Sequence, residues 1–195
     1  MNYIVKLLPT WKSIKLLEQR IRQAIREVPD FPKPGINFKD ITPILSDHVL
    51  CRDIVAELCQ SFQNDNIDAI VGVESRGFLF GMMAAQELKV PFVPVRKKGK
   101  LPFQTISYAY SLEYGTAEME MHVDALKPGN NVMIHDDLLA TGGTAAAAAE
   151  LVQQQGATVG GFSFVIELAF LEGAARLQQY CKRVVPLVSY WNDQA

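Results

Sequence analysis

Two adjacent acids, Asp136 and Asp137, close an apolar run in the segment MIHDDLLATGGT at residues 133–144. The run 131–136 has the length and composition of a buried β-strand, which places the acids at its carboxyl end. Ligands of open α/β sheets bind beyond the carboxyl ends of the strands. Carboxylates at such a position can accept hydrogen bonds from hydroxyl groups or bind a metal ion.

The residues after the acids predict an anion site. Gly142 and Gly143 allow close backbone approach and a positive φ, and Thr141 and Thr144 add hydroxyl donors. The alanine tract that follows predicts a helix, whose first turn offers N–H groups without intrahelical partners and a partial positive charge. The segment from Ala140 to Thr144 is therefore predicted to cradle a phosphate group.

Two carboxylates beside a phosphate would repel it unless they bind another part of the ligand. Ribose hydroxyls or a magnesium ion suit them, so the segment indicates a ligand with a phosphate next to a sugar diol. The glycines form neither a Walker A loop, since no Gly-Lys-Ser/Thr follows, nor a GxGxxG motif. Taken alone, the segment is equally well explained as a strand, a turn with aspartates and a capped helix.

Hydrophobic periodicity divides the chain into the elements that would position this segment. Apolar residues spaced by three and four indicate helices, and short apolar or alternating runs indicate strands. The predicted helices are 12–28, 47–64, 76–88, 143–155 and 171–181. The predicted strands are 68–75, 91–97, 131–136, 157–168 and 184–190, with a hairpin at 108–123 that turns at Gly115.

Strands that alternate with helices predict an α/β fold with a mostly parallel central sheet flanked by helices, to which the hairpin adds antiparallel strands. No internal repeat, low-complexity linker or shift in composition marks a second domain. Residues 1–195 are therefore predicted to form a single domain.

Composition and charge narrow the class of protein. The formal net charge is −2 and the one strongly basic stretch, RKKGK at 96–100, is local, which argues against a nucleic-acid partner. No run approaches the ~20 apolar residues of a membrane helix, so no membrane partner is expected. Three widely spaced cysteines, Cys51, Cys59 and Cys181, predict no disulfide framework and no zinc site. With a poor match to a signal peptide as well, a cytoplasmic protein is expected.

Several motifs together resemble the type I phosphoribosyltransferase family. MIHDDLLATGGT is similar to the family's signature for phosphoribosyl pyrophosphate (PRPP), and the form DDLLATGGT resembles that of the members acting on adenine. Four more motifs occur in the family's order: FPKPGINFKDITPIL at 31–45, VGVESRGFLFG at 71–81, VPVRKKGKLP at 93–102 and YSLEYGTAEMEMHVDALKPG at 110–129. The resemblance extends over roughly residues 28–170.

The resemblance implies the type I phosphoribosyltransferase fold, with a small N-terminal hood at about 12–45 and a flexible hairpin lid at about 96–116. It implies transfer of the 5-phosphoribosyl group from PRPP to adenine, which yields AMP and pyrophosphate. Mg²⁺ would arrive with PRPP, without direct protein side-chain ligands, and a homodimer is expected. Two alternatives stay open: an enzyme for hypoxanthine, guanine or xanthine, and a regulator that binds PRPP or a nucleotide without turnover.

The resemblance also implies roles for individual residues. The ribose 2- and 3-hydroxyls would bind Asp136 and Asp137. The residues implied for the 5-phosphate are Ala140, Thr141, Gly142, Gly143 and Thr144. The residues implied for the pyrophosphate are Glu74, Ser75, Arg76, Gly77, Arg96 and Lys100. A non-proline cis peptide is expected between the first two of these.

The purine is expected at the hood. Phe38 would stack on the base, and the backbone of Ile36 and the region of Lys39 would read its edge. Family members often carry Arg where Lys39 stands, and Lys lacks the planar fork of donors that Arg offers. In the family, the preference for adenine depends mainly on contacts with the backbone, and the resemblance implies the same here.

The lid is expected to supply a Glu-Tyr pair, Glu113 and Tyr114, that closes over the ribose and the base. Glu113 would act as general acid or base, a role that Asp137 could share. His135 departs from the family pattern, which has an apolar residue before the acids, and is interpreted as a structural histidine at the end of its strand.

Overall fold

The structure, a computed structural model, describes residues 11–111 and 115–192. The α-helices are α1 (Trp11–Ala24), α2 (His48–Ser61), α3 (Gly77–Leu88), α4 (Gly143–Gln154) and α5 (Gly173–Leu177). Short 3₁₀ helices occupy Thr42–Ser46 and Ala169–Leu171. The strands are β1 (Arg26–Val28), β2 (Phe38–Asp40), β3 (Ala69–Val73), β4 (Phe92–Lys97), β5 (Thr105–Ser111), β6 (Thr116–His122), β7 (Asn131–Leu139), β8 (Thr158–Leu168) and β9 (Val184–Tyr190).

The chain divides into two compact units, 1–53 and 54–195. In the first unit, β1 and β2 form an antiparallel pair with Glu27 opposite Lys39. The prediction of a helix through residue 28 was wrong, because α1 ends at Ala24 and the chain then extends to pair with β2. The spacing of apolar residues could not show where α1 ends and β1 begins, since Val28 fits the helical periodicity although it lies on a strand.

The second unit is built on a seven-stranded sheet with the order β5-β6-β4-β3-β7-β8-β9. The pairs β4–β3, β3–β7, β7–β8 and β8–β9 are parallel. β6 pairs antiparallel with both β4 and β5. The predicted α/β class with a mostly parallel sheet and flanking helices is confirmed, and so is the hairpin on either side of Gly115.

The alanine tract explains how α4 lies against this sheet. Its five alanines are at most 5% exposed and share one apolar cluster with Val71, Val73 and Ile134 of the central strands. Small side chains let a helix axis approach the sheet closely at native packing density. The first turn of α4 is thereby held next to the end of β7.

The bounds of β7 and of the helix predicted at 171–181 differ from the predictions. β7 continues to Leu139 instead of ending at 136, because the eleven-residue β8 pairs with it as far as Glu167. The helix predicted at 171–181 is only α5, since Glu172 adopts a left-handed conformation with φ 56° that separates it from the 3₁₀ turn before it. His135 therefore lies inside β7 and is not its last residue.

Within the described residues, no helix is both long and apolar enough to cross a bilayer.

Candidate active site

A cavity of about 540 Å³ lies where β3 and β7 give way to the loops that follow them. It brings together residues from four separate stretches of the second unit. The residues that line it are Glu74, Ser75, Arg76, Lys97, Tyr110, Ala117, Met119, Asp136, Asp137, Leu138, Ala140 and Thr144. Seven of these were singled out from the sequence, so the predicted diol, phosphate and pyrophosphate residues share one space.

Both acids of the pair line this cavity. Side chains alternate along a strand, so Asp136 and Asp137 leave β7 on opposite faces. The Asp137 N–H donates to Asp136 Oδ1 over 2.9 Å. Burial and the neighbouring Asp137 charge raise the pKa of Asp136 well above its usual value. Burial also raises the pKa of Asp137, although Arg76 opposes that rise. Two crowded carboxyls of this kind are well placed to accept hydrogen bonds from a vicinal diol.

Arg76 is held beside the acids by the start of α3. A Cβ on Gly77 would lie 2.7 Å from the His135 carbonyl oxygen, so only glycine lets the helix approach β7 this closely. Arg76 Nε then lies 3.0 Å from Asp137 Oδ2, and this carboxylate is only 2% exposed. The Arg76 side chain is 39% exposed and lines the cavity as well as pairing with the acid.

The loop predicted to hold a phosphate presents mainly backbone groups at the start of α4. Gly142 has φ 74° and precedes α4, and the Ala146 N–H donates to its carbonyl oxygen over 2.9 Å. No side chain of the described residues caps the helix start. The loop lines a smaller cavity of about 80 Å³, whose lining includes Asp136, Ala140, Thr141, Gly142, Gly143 and Thr144. Because Asp136, Ala140 and Thr144 line both cavities, the phosphate loop adjoins the acid pair.

The start of α5 supports this loop from behind. A Cβ on Gly142 would lie 2.9 Å from the Gly173 carbonyl oxygen, and a Cβ on Gly173 would overlap the Ala140 carbonyl oxygen. The two glycines thus let one backbone lie directly against the other. The shape of the phosphate loop depends on this contact as well as on its own sequence.

An ion pair joins Glu74, in the loop predicted to bind the pyrophosphate, to Arg96, where the predicted lid begins; residues 96–101 are called the lid base below. The Glu74–Ser75 peptide is cis, as the family resemblance led us to expect. Glu74 Oε2 accepts the Lys97 N–H over 2.9 Å and Arg96 Nε over 3.2 Å. Burial would raise the pKa of Glu74, but the hydrogen bonds from Lys97 and Arg96 outweigh it and lower that pKa. Glu74 is therefore an ionised residue that binds the lid base.

A second carboxylate holds the same stretch from the other side. Glu120 on β6 is only 4% exposed and accepts the N–H groups of Lys100 and Leu101 over 2.8 and 2.7 Å. Arg96 Nη1 donates to the Lys100 carbonyl oxygen over 3.0 Å. The backbone of the basic stretch is thus held between two acids, and Lys97 lines the cavity.

The residues predicted to bind the purine belong to the first unit. The ring of Phe38 makes an edge contact with that of Phe31, with centroids 5.2 Å apart, and Ile36 is 44% exposed. Lys39 is 2% exposed and its Nζ lies 2.5 Å from Glu27 Oε1. Its ammonium is thus already paired with a carboxylate, while its backbone belongs to β2.

His135 is enclosed inside β7. It is 0% exposed, and its Nδ1 lies 2.9 Å from Ser163 Oγ. Burial lowers the pKa of His135 to about 4, so the ring is neutral at neutral pH. The two predicted lid residues, Glu113 and Tyr114, lie outside the described residues.

Comparison with known proteins identifies the family. Residues 40–194 match the sequence model of the phosphoribosyl transferase domain. The adenine phosphoribosyltransferase of Cytophaga hutchinsonii is 48% identical over 178 residues, 91% of this chain and 98% of that protein. The chain belongs to the phosphoribosyltransferase family.

Solved structures agree with that membership. The crystal structure of adenine phosphoribosyltransferase from Rhodothermus marinus has 50% identity and a TM-score of 0.85, and the match covers 90% of this chain and 99% of that one. The Saccharomyces cerevisiae adenine phosphoribosyltransferase, complexed with D-2,5-dideoxy-2,5-imino-altritol 1,6-bisphosphate and adenine, has 42% identity and a TM-score of 0.82, covering 89% and 99%.

Sequence reasoning did not single out Lys97 and Tyr110, which line the cavity, or Glu120, which accepts hydrogen bonds from the backbone of Lys100 and Leu101. Lys97 lies in the basic stretch 96–100, but its residue type does not distinguish it from the neighbouring Lys98. Tyr110 and Glu120 belong to the alternating hairpin, where the pattern indicates strands without indicating what the side chains contact. Pairing of β6 with β4 and β5 would have been needed to find them.

Proposed function

We propose that this phosphoribosyltransferase transfers the 5-phosphoribosyl group from PRPP to adenine and releases AMP and pyrophosphate. The observation that carries the proposal is the single cavity shared by the acid pair, Arg76 and the start of the phosphate loop. PRPP carries a diol between a phosphate and a pyrophosphate, and the cavity offers a group for each. Adenine as the acceptor follows from the names of relatives about half identical to this chain, including the yeast structure with adenine.

The loop Ala140–Thr144 binds the 5-phosphate in this proposal, chiefly with backbone N–H groups at the start of α4 and with the hydroxyls of Thr141 and Thr144. Asp136 and Asp137 accept hydrogen bonds from the ribose 2- and 3-hydroxyls. Carboxylates repel a phosphate group, so the acid pair is better suited to the ribose hydroxyls and the loop to the 5-phosphate.

The pyrophosphate binds Arg76 and the backbone of Ser75 and Gly77, with Lys97 and Lys100 adding charge from the lid base. Glu74 and Arg96 act differently from the other residues assigned to this ligand. Their ion pair and the hydrogen bond from Lys97 N–H hold the lid base in place, so they serve the pyrophosphate by positioning its cationic neighbours.

Bond breaking at C1 of the ribose is mainly an electrostatic problem. The C1–O bond to pyrophosphate breaks through an oxocarbenium-like state, and N9 of adenine forms the new bond from the opposite face. Arg76 and the lysines stabilise the charge that develops on the leaving group. Glu113 takes the proton that adenine loses, and Asp137 can share this role through its raised pKa. A Glu113→Gln variant that retained full kcat would exclude that assignment.

Magnesium is part of the substrate in this proposal. Among residues 11–111 and 115–192, no group of three or more His, Cys, Asp and Glu side chains is arranged to hold a metal. Mg²⁺ usually keeps several waters and binds substrate phosphates. The ion would therefore bind PRPP itself and neutralise charge on the pyrophosphate, while Asp136 and Asp137 accept hydrogen bonds from the ribose hydroxyls.

The purine side of the proposal assigns base stacking to Phe38 and edge recognition to the backbone near Ile36. Lys39 contributes through its backbone, because its ammonium is paired with Glu27. This would explain how Lys can stand where relatives often have Arg.

A homodimer and a cytoplasmic location complete the proposal. The outer face of α3 exposes three apolar residues at helical spacing, Leu79, Met82 and Met83, between 41% and 53% exposed, as a dimer interface would need. All three cysteines are free thiols, which suits a reducing compartment. Light scattering on the purified protein and localisation of a tagged chain test the two statements.

An assay with PRPP, Mg²⁺ and labelled adenine tests the function itself. We expect AMP and pyrophosphate in equal amounts, and little product when hypoxanthine, guanine or xanthine replaces adenine. A product formed faster with one of those bases would reassign the acceptor. PRPP binding without any product would favour a regulator.

A further inference from the structure

Tyr110 projects from β5 into the candidate active site, although no role has been assigned to it. It lines the same cavity as Asp136, Asp137 and Thr144. Its hydroxyl oxygen lies 3.3 Å from Thr144 Oγ1. Its ring edge lies 3.5 Å from the place that a Cβ on Gly143 would occupy. Tyr110 therefore forms a hydrogen bond with Thr144 through its hydroxyl, and its ring lies beside Gly143.

We propose that Tyr110 is a positioning residue for the 5-phosphate: it donates its hydroxyl proton to Thr144 Oγ1 and so directs the Thr144 proton at the phosphate. The inference rests on the proposed function, in which Thr144 is a phosphate ligand.

The chemistry of the two hydroxyls sets the direction of the hydrogen bond. Each hydroxyl has one proton to donate and two lone pairs. If Thr144 donated to Tyr110, it would have no proton left for a phosphate oxygen. A phenol is a stronger acid than an aliphatic alcohol, so the Tyr110 O–H is the better donor of the two. With the ligand bound, the favourable chain is Tyr110 O–H to Thr144 Oγ1, and Thr144 O–H to phosphate.

The position of Thr144 strengthens this arrangement. It is the second residue of α4, so its N–H belongs to the first turn and lacks an intrahelical acceptor. Its N–H and its hydroxyl can then serve one ligand. Hydrogen bonds in a chain polarise one another, so the Tyr110 hydroxyl strengthens the contact that Thr144 makes.

Tyr108 provides a matched control on the same strand. It stands two residues before Tyr110 and therefore on the same face of β5, and both rings pack against the apolar cluster of the second unit. Only Tyr110 lines the cavity. Tyr108→Phe and Tyr110→Phe each remove one oxygen atom, so a general effect on the hairpin would appear in both.

Titration calorimetry with ribose 5-phosphate, followed by steady-state kinetics, tests the inference. We expect Tyr110→Phe to raise the Kd of ribose 5-phosphate and the KM of PRPP by about 3- to 10-fold, the range for one hydrogen bond. The KM of adenine should stay unchanged, and Tyr108→Phe should behave like the wild type. In a Thr144→Val background, adding Tyr110→Phe should cause no further loss.

Two results would overturn the inference. One is an unchanged Kd of ribose 5-phosphate in Tyr110→Phe, and the other is a full additional loss in the Thr144→Val background, which would mean that Tyr110 acts independently of Thr144. If the wild type itself failed to bind ribose 5-phosphate, the proposed phosphate site would fall and this inference with it. The wild-type titration thus separates the two failures.

Discussion

The two ends of the candidate cavity are built in different ways. The phosphate end, residues 136–144 with the start of α4, is one contiguous segment whose donors are mostly backbone groups. The pyrophosphate end, residues 74–76 and 96–101, comes from separate loops and relies on charged side chains held by carboxylates. One end is therefore shaped by local conformation, and the other depends on long-range ion pairs and hydrogen bonds.

This difference predicts which kind of substitution should impair each end of the cavity. At the phosphate end, a change of backbone shape should do more harm than a change of surface charge. At the pyrophosphate end, loss of a single charged partner should leave another charge buried or a loop without its anchor. Four variants test this contrast, in order of decreasing expected effect.

The largest effect is expected from Arg76→Ala, at the pyrophosphate end. The variant removes the cation beside the leaving group and leaves Asp137 without its ion-pair partner. We expect kcat/KM to fall by about 100- to 1,000-fold, as for loss of a donor that stabilises charge in a transition state. Arg183→Ala is the control, because Arg183 Nε also pairs with an aspartate, Asp65 Oδ2 at 3.0 Å, outside the cavity. Equal kcat/KM values for the two variants would show that Arg76 does not stabilise the leaving group.

A pH-dependent effect on stability is expected from His135, behind the phosphate end. Its folded pKa of about 4 lies below the usual value of 6.5, so the unfolded chain binds the proton first as the pH falls. The stability present above pH 6.5 should thus be lost towards pH 4, by on the order of 3 kcal/mol. Urea unfolding at pH 7.5 and pH 4 measures this loss.

A double variant, His135→Leu with Ser163→Ala, should lack that part of the pH dependence, because it removes the imidazole together with its partner. His48→Gln, a change at an exposed histidine, should retain it. The same loss of stability in the double variant as in the wild type would contradict the assignment to His135.

Gly173→Ala should damage the phosphate end without touching a charge. The new Cβ would overlap the Ala140 carbonyl oxygen and push the loop out of shape. Overpacking of this kind costs about 1–3 kcal/mol, so we expect the KM of PRPP to rise about tenfold. Gly129→Ala is the control, since that glycine has φ 86° and no atom within 4 Å of a Cβ. Its stability should fall while PRPP kinetics stay normal, and an equal rise in KM would refute the support role of Gly173.

The smallest effect is expected from Glu120→Ala, which releases the N–H groups of Lys100 and Leu101 at the pyrophosphate end. We expect the KM of PRPP to rise about 3- to 10-fold, less than the full value of the two lost hydrogen bonds, because they act on PRPP only through the backbone of Lys100 and Leu101. Glu118→Ala removes a carboxylate two residues away that pairs with Lys98 at the surface, and should have little effect. A PRPP KM that did not distinguish the two variants would show that the anchor is unimportant.

The same contrast explains what the sequence could predict. At the phosphate end, the glycine turn and the start of the helix at Gly143 were predicted, because the residues that form them are neighbours in the chain. The central strands were also predicted, since buried parallel strands are short apolar runs. At the pyrophosphate end, Arg76 was singled out, but the partnership of Glu74 with Arg96 was not, because 22 residues separate them in the chain.

The errors have a common cause, because in each case the deciding partner lies elsewhere in the chain. β7 extends beyond residue 136 because β8 continues beside it, which the letters of β7 do not reveal. α1 gives way to β1 because Phe38–Asp40 supplies a pairing partner. Tyr110 and Thr144 are 34 residues apart, so their contact also required the fold.

The most direct test of the account is a crossed binding measurement on the Arg76→Ala and Gly173→Ala variants. Calorimetry would give the Kd of ribose 5-phosphate and of magnesium pyrophosphate for each. We predict that Arg76→Ala weakens pyrophosphate binding by about tenfold or more and ribose 5-phosphate by less than about threefold, and that Gly173→Ala does the reverse. Equal losses of both ligands in both variants would contradict the division of the cavity into two separately built ends.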